Sequence, residues 1–153
     1  MARDPIERTI MSRLQSIAPE VAQRLSEAAP NARQRVALVA AQFAVSTSGL
    51  SDPEVLRQFS AVGSGEALGP DAQRRLANVV ETLDYAAWQI QDQVDAGTAS
   101  ANDYLQAFGR ARAAASVAYA AAGDAMEASC EAAATTDDPG PLWTLVDAEL
   151  SIP

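Results

Sequence analysis

Alanine is the most abundant residue of the chain, at 34 of 153 residues, and this constrains the fold more than any other feature. Alanine has the highest helix propensity, whereas the aromatic residues that favour strands make up only 5%. No segment sustains the alternation of apolar and polar residues that is typical of a strand. The sequence therefore predicts an all-α fold. We expect a single-domain, irregular bundle of about six or seven helices over residues 1–153, with residues 1–3 and 151–153 frayed.

Capping residues, prolines and glycines divide the chain into helices. The predicted helices begin near Asp4, Pro19, Asn31, Asp52, Pro70, Ser100 and Leu142. Two of them are long and span about residues 70–96 and 100–134. The third, at about 32–47, is apolar on two opposite faces, so we expect it to be buried.

The second long predicted helix carries a stripe of alanines that continues from Tyr104 and Phe108. Small side chains allow close approach of neighbouring helices, so this helix is expected at the centre of the bundle. Cys130 lies on the same side and is predicted to be a small core residue rather than a reactive thiol.

Several kinds of catalytic and metal site cannot be built from this chain. It has no histidine, no lysine and a single cysteine, which excludes histidine-based catalysis, His-ligated metals and an internal disulfide. No nucleophile elbow or phosphate-binding loop occurs. We therefore expect no cofactor and no enzymatic activity. The pairs Arg74-Arg75 and Arg110/Arg112 are expected to form ion pairs with acids at helical spacing, such as Asp103.

A row of acids at Asp124, Glu127 and Glu131 falls opposite the alanine stripe. Such carboxylates can bind hard cations, but no calcium-binding loop is present. The row is predicted to be a solvated helix face rather than a metal site.

The net charge of −9 is unevenly distributed along the chain. Residues 1–75 contain nine arginines and eight acids, whereas residues 76–153 contain two arginines and twelve acids. A strongly negative region repels nucleic acid and anionic membranes and attracts basic proteins. Because the N-terminus is charged and no apolar run is long enough to cross a membrane, we expect a soluble cytoplasmic protein without a signal peptide.

The predicted helix 70–96 combines this charge with aromatic residues on one face. Its helical repeat places six residues together, opposite a core stripe of Leu76, Val79, Leu83, Ile90 and Val94. The six are Glu81, Asp84, Tyr85, Trp88, Asp92 and Asp95. Two interpretations are open. The face is an exposed binding site for a basic partner, or Trp88 packs beneath another segment such as the C-terminal helix.

Three functions fit these features. The first is a non-enzymatic interaction protein that occludes a basic partner through the face around Trp88, as immunity proteins and antitoxins do. The composition of residues 106–134 is similar to that of small acidic, alanine-rich bacterial proteins, some of them immunity proteins that neutralise toxins. The second is a small-molecule-binding or sensing bundle with a pocket lined by Tyr104, Phe108, Tyr119 and Met126. The third is a homo-oligomer formed through the alanine stripe or the Trp88 face.

Overall fold

The computed structural model describes residues 13–153, and all regular secondary structure in this range is helical. Residues 13–17 are helical and are followed by seven helices. These are α1 (Pro19–Glu27), α2 (Pro30–Ser48), α3 (Pro53–Gly63), α4 (Pro70–Asp95), α5 (Ala101–Ala121), α6 (Ala125–Ala133) and α7 (Gly140–Leu150). The prediction of an all-α bundle is confirmed. The predicted helix start at Asp4 and the predicted fraying of residues 1–3 lie outside the described residues.

The helix starts follow the local capping chemistry. At the start of α3, the Asp52 side chain accepts a hydrogen bond from the backbone N–H of Val55 at 3.1 Å. At the start of α5, Ser100 and Asp103 each accept a hydrogen bond from the other's backbone N–H, forming a capping box. These hydrogen bonds satisfy N–H groups that have no partner within the helix, and they hold the pKa of Asp103 below its usual value.

Helix α2 is buried along one broad face, formed by Val36, Ala37, Ala40, Ala41 and Ala44, which are inaccessible to solvent. The expectation of burial on two opposite faces is met only in part, because Val39, Phe43 and Val45 beside that face are half-buried. The start of α2 differs from the prediction. Ala29 rather than Asn31 is the N-cap, and Pro30 is the first helical residue. Proline suits this position because its φ is already helical and the N–H it lacks has no partner there.

The predicted helix over residues 100–134 is wrong, because the chain breaks it into α5 and α6 at Gly123. Gly123 has a φ of +78°, in the left-handed region that glycine adopts readily. The N–H of Asp124 donates to the carbonyl of Tyr119 at 2.9 Å, and that of Gly123 donates to Ala120 at 3.1 Å. This is a Schellman motif, which ends α5. Asp124 then caps α6 by accepting from the backbone N–H of Glu127 at 3.1 Å.

Helix α5 lies at the centre of the bundle, as predicted, and packs against α2, α4 and α6. The contact surfaces are formed largely by fully or nearly fully buried alanines, among them Ala40, Ala44, Ala111, Ala114, Ala128 and Ala132. A buried hydrogen bond of 2.8 Å from the Ser116 hydroxyl to the Ala128 carbonyl joins α5 to α6. Helix α4 packs mainly on α5 and, over fewer residues, on α3, whereas α7 packs on α2 and α1. Helix α4 therefore lies at one edge of the bundle, and no other described helix covers its outer face.

Candidate functional site

The outer face of α4 exposes two large aromatic side chains. Trp88 is 73% exposed and Tyr85 is 67% exposed. On the opposite side, Leu76 and Ala87 are buried and Leu83 is half-buried against the core. The interpretation in which Trp88 packs beneath the C-terminal helix is therefore wrong, because α7 packs on α2 and α1. The interpretation with an exposed indole agrees with the structure.

The four predicted carboxylates of this face differ in their partners. Within residues 13–153, the side chains of Glu81 and Asp92 make no ion pair or hydrogen bond, and that of Asp95 accepts one hydrogen bond, from Gln91 at 3.0 Å. Asp84 instead forms an ion pair with Arg112 of α5. The structure thus brings the six predicted residues to one helix face, and three of the four carboxylates have no cationic partner there.

Arg112 joins three helices through its guanidinium group. One amino group (Nη1) donates to Glu131 Oε2 of α6 at 2.7 Å, and the other (Nη2) donates to Asp84 of α4. The guanidinium carbon also lies 5.5 Å from the centroid of the Phe108 ring. Burial disfavours the charged form, but these two carboxylates outweigh it and raise the pKa of Arg112.

The predicted ion pairs at helical spacing are confirmed only in part. Arg74 lies 3.4 Å from Asp71 on its own helix. Arg112 pairs with two other helices instead, and Arg110 makes no ion pair with any described residue. Asp103, its expected partner, serves in the capping box of α5.

A groove of about 460 Å³ lies between α4 and α5, directly beside the exposed aromatic residues. The lining side chains come from both helices: Glu81, Asp84, Tyr85, Ala87, Trp88, Tyr104, Phe108 and Arg112. The rings of Tyr104 and Phe108 are 5.8 Å apart between centroids and tilted by 31°. An adjoining hollow of about 470 Å³ shares Glu81, Asp84 and Arg112 with this groove and continues to Tyr119 and Glu131.

The four residues of the predicted small-molecule pocket are not gathered around this groove. Tyr104 and Phe108 line the groove, while Tyr119 lines the adjoining hollow. Met126 lines neither and packs, half-buried, against the core.

The second acidic row is not a solvated face. Glu127 is 3% exposed and Glu131 is 4% exposed. Arg13 binds both carboxylates, with Nη1 at 2.6 Å from Glu127 Oε2 and Nη2 at 3.5 Å from Glu131 Oε1. Seven of the nine residues of α6 are buried, so this helix has no broad solvated face on which the two glutamates could lie. No cluster of three or more potential metal-ligating side chains is present among the described residues.

The buried carboxylates also affect their neighbours. Burial raises the pKa of Glu127, and Arg13 reverses only part of that effect. Burial, together with the nearby carboxylates, raises the pKa of Cys130 to about 12 and raises that of Tyr119. Cys130 is 3% exposed and belongs to the core cluster, so the prediction of a core cysteine is confirmed.

Sequence reasoning missed the contribution of α5 to the face around Trp88. Tyr104, Phe108 and Arg112 follow one another at intervals of four residues, which places them on one side of α5. One feature of the sequence could have revealed this contribution: Arg112 continues the aromatic stripe of an alanine-rich helix. It indicates that the stripe leaves the core and reaches a surface where a charge can be accommodated.

None of the described helices has the length and apolar character needed to cross a membrane. A scan against protein-family models, a search of curated proteins and a search of solved structures each find no match to this chain.

Proposed function

We propose that the protein is a non-enzymatic, cytoplasmic interaction protein that binds a basic partner protein through the outer face of α4 and inhibits it by occlusion. Immunity proteins and antitoxins act in this way. The observation that carries the proposal is the exposure of Trp88 and Tyr85 beside three carboxylates that have no cationic partner among the described residues.

The aromatic residues supply the affinity in this proposal. Tryptophan and tyrosine are enriched among the few interface residues that dominate binding energy. In the unbound protein the Trp88 side chain is 73% exposed and leaves apolar surface in contact with water. A partner that covers this side chain removes that surface from solvent, which favours binding. The indole and the phenol therefore form the expected centre of the contact.

The carboxylates supply selectivity for a basic surface. Glu81, Asp92 and Asp95 flank the aromatic pair, and none of the three forms an ion pair with a cation of residues 13–153. Such a rim accelerates encounter with a basic protein and repels an acidic one. A symmetric contact between two copies of this face brings like charges together, so homo-oligomerisation through it is disfavoured at low salt.

The packing of α4 keeps this face preformed. Arg112 ties Asp84 to Glu131, so α4 is linked through α5 to α6 in addition to its apolar contacts. A rigid helix loses little conformational entropy on binding.

The test is affinity capture from the native host with matched baits. We expect the wild-type protein to retain a basic protein and Trp88→Ala to weaken the complex by about 2 kcal/mol or more, the loss typical of a hot-spot residue. Leu145→Ala is the control, because Leu145 is 44% exposed on α7, away from the proposed face.

Trp88→Ala should leave the melting temperature nearly unchanged, because the indole is largely exposed, and Leu145→Ala should lower it slightly, because about half of that side chain is buried. An undiminished complex with Trp88→Ala would contradict the proposal. A large loss of melting temperature would instead assign Trp88 to packing.

A further inference from the structure

We propose that the groove between α4 and α5 is a subsite for one arginine side chain of the basic partner. The guanidinium would stack against the aromatic rings that line the groove and pair with Glu81. This inference rests on the proposed function and specifies the chemistry that the partner must present.

The chain itself shows that the groove suits a guanidinium group. Arg112 already occupies one part of it, with its guanidinium carbon 5.5 Å from the Phe108 ring centroid and two carboxylates as hydrogen-bond acceptors. This arrangement combines a cation–π contact with charge-assisted hydrogen bonds.

The more exposed part of the groove also contains aromatic rings and a carboxylate, but no described cation lies between them. Tyr85, Trp88 and Tyr104 provide aromatic rings there, and Glu81 provides a carboxylate. No described cation pairs with Glu81 or stacks on these three rings. A second guanidinium therefore finds the same kinds of partner that Arg112 finds.

The charge balance of the groove favours a positive ligand. Of the three charged residues that line the groove, Arg112 is paired with Asp84, which leaves the charge of Glu81 without a cationic partner among the described residues. The volume of about 460 Å³ lies within the range of about 300–1,000 Å³ that is typical of small-ligand sites. A single side chain fits such a space.

Arginine is a better occupant than lysine for geometric reasons. Its planar guanidinium stacks on aromatic faces, offers two parallel donors to a carboxylate and is less strongly hydrated than an ammonium group. A difference of about 1 kcal/mol, within the range of exposed cation–π contacts, corresponds to roughly fivefold in affinity.

The experiment titrates hexaarginine amide and hexalysine amide, which carry equal charge, into the full-length protein by calorimetry at low salt. We expect hexaarginine to bind about fivefold more tightly. Glu81→Gln should reduce this preference towards unity. Asp92→Asn, which removes the same charge from the same helix face outside the groove, should weaken both peptides equally and preserve the preference.

The outcomes separate the subsite from the proposed function. Equal affinity for the two peptides, or a preference that survives Glu81→Gln, overturns the subsite and leaves the acidic binding face intact. Failure of both peptides to bind overturns both proposals.

Glu81 is exposed and unpaired among the described residues, so its substitution should not impair folding. Tyr104→Leu is the second variant and should also abolish the preference, because it removes one ring of the groove.

Discussion

Arg112 is the residue on which the geometry of the groove depends. Its side chain is only 18% exposed, and its charge is balanced by Asp84 and by the buried Glu131. Moving a charge out of water is costly, and the ion pairs offset that cost only while every partner is present. Removal of the arginine leaves Asp84 without a cation among the described residues and leaves the buried Glu131 with Arg13 alone, at 3.5 Å.

We therefore expect Arg112→Met to lower the free energy of unfolding by about 3 kcal/mol, the lower end of the range for breaking a buried ion pair. Urea denaturation measures this change. Arg74→Met is the matched control, because Arg74 pairs with Asp71 while both side chains are largely exposed. We expect it to cost less than about 1 kcal/mol. Similar losses for the two variants would show that the Arg112 network contributes no more than a surface ion pair.

Glu127 leads to a prediction about pH. Its pKa in the folded protein lies above its ordinary value of 4.5, because burial disfavours the carboxylate. As the pH falls through the raised pKa, the folded state takes up a proton before the unfolded state does. The contribution of Glu127 to the free energy of unfolding therefore increases as the pH falls. The increase is complete below the pKa that Glu127 has in the unfolded chain.

The measurement compares the wild-type protein with Glu127→Gln, in which the site cannot titrate. The wild type should gain stability relative to the variant as the pH is lowered from 7 towards 4.5, and the difference should be constant at higher pH. Urea denaturation at several pH values gives the difference directly. If the wild type instead loses stability relative to Glu127→Gln as the pH falls, Arg13 lowers the pKa of Glu127 by more than burial raises it, and the prediction is wrong.

The sequence predicted the α4 part of the site and missed its long-range partners. The positions of Tyr85 and Trp88 follow from the helical repeat alone. The burial of Glu127 depends on Arg13, which is 114 residues away in the sequence, and the inward pairing of Asp84 depends on Arg112, 28 residues away. A helical repeat contains no information about such pairs, and acids with helical spacing are usually solvated.

At the level of elements, Gly123 determines where α5 ends and α6 begins. A Cβ atom at this position would meet no other atom within 4 Å, so the effect of a substitution is confined to the backbone. Its φ of +78° is unfavourable for any residue with a side chain.

We expect Gly123→Ala to destabilise the protein by about 1 kcal/mol or more. Gly63→Ala is the control, since Gly63 ends α3 without a positive φ and a Cβ there also meets no atom within 4 Å. That variant should be neutral or stabilising by up to about 1 kcal/mol, because alanine restricts the unfolded chain more than glycine does. Thermal unfolding of both variants checks the prediction, which is wrong if the two shift the melting temperature in the same direction.

The sequence predicted most helix boundaries because capping is local. Asp52 and Ser100 function as N-caps, and Gly97 follows α4 with a positive φ. The same reasoning could have found the break at Gly123. The glycine is followed by Asp124 and, three residues later, by Glu127, which together resemble a stop signal and a new start. The high helix propensity of the surrounding alanines concealed this signal.

At the scale of the whole molecule, the arrangement of charge matters more than its total. The net charge is −9, and all of the excess lies in residues 76–153, which include α4 from Leu76 onwards. Exposed charges separated by more than about 10 Å are largely screened at 0.1 M salt. A basic ligand that approaches the α4 face therefore responds chiefly to the carboxylates near that face, and those on α1 contribute less.

Two double variants test this distinction at equal net charge. Asp92→Asn with Asp95→Asn neutralises two exposed acids of α4, and Glu20→Gln with Glu27→Gln neutralises two exposed acids of α1. We expect the α4 pair to slow association with fluorescently labelled hexaarginine several-fold at about 0.1 M salt, and the α1 pair to slow it by less than about twofold. Stopped-flow measurement gives the rates. Both effects should disappear near 1 M salt, where the screening length is only about 3 Å. Equal slowing by the two pairs would mean that total charge governs encounter, and the outer face of α4 would then lose its special role.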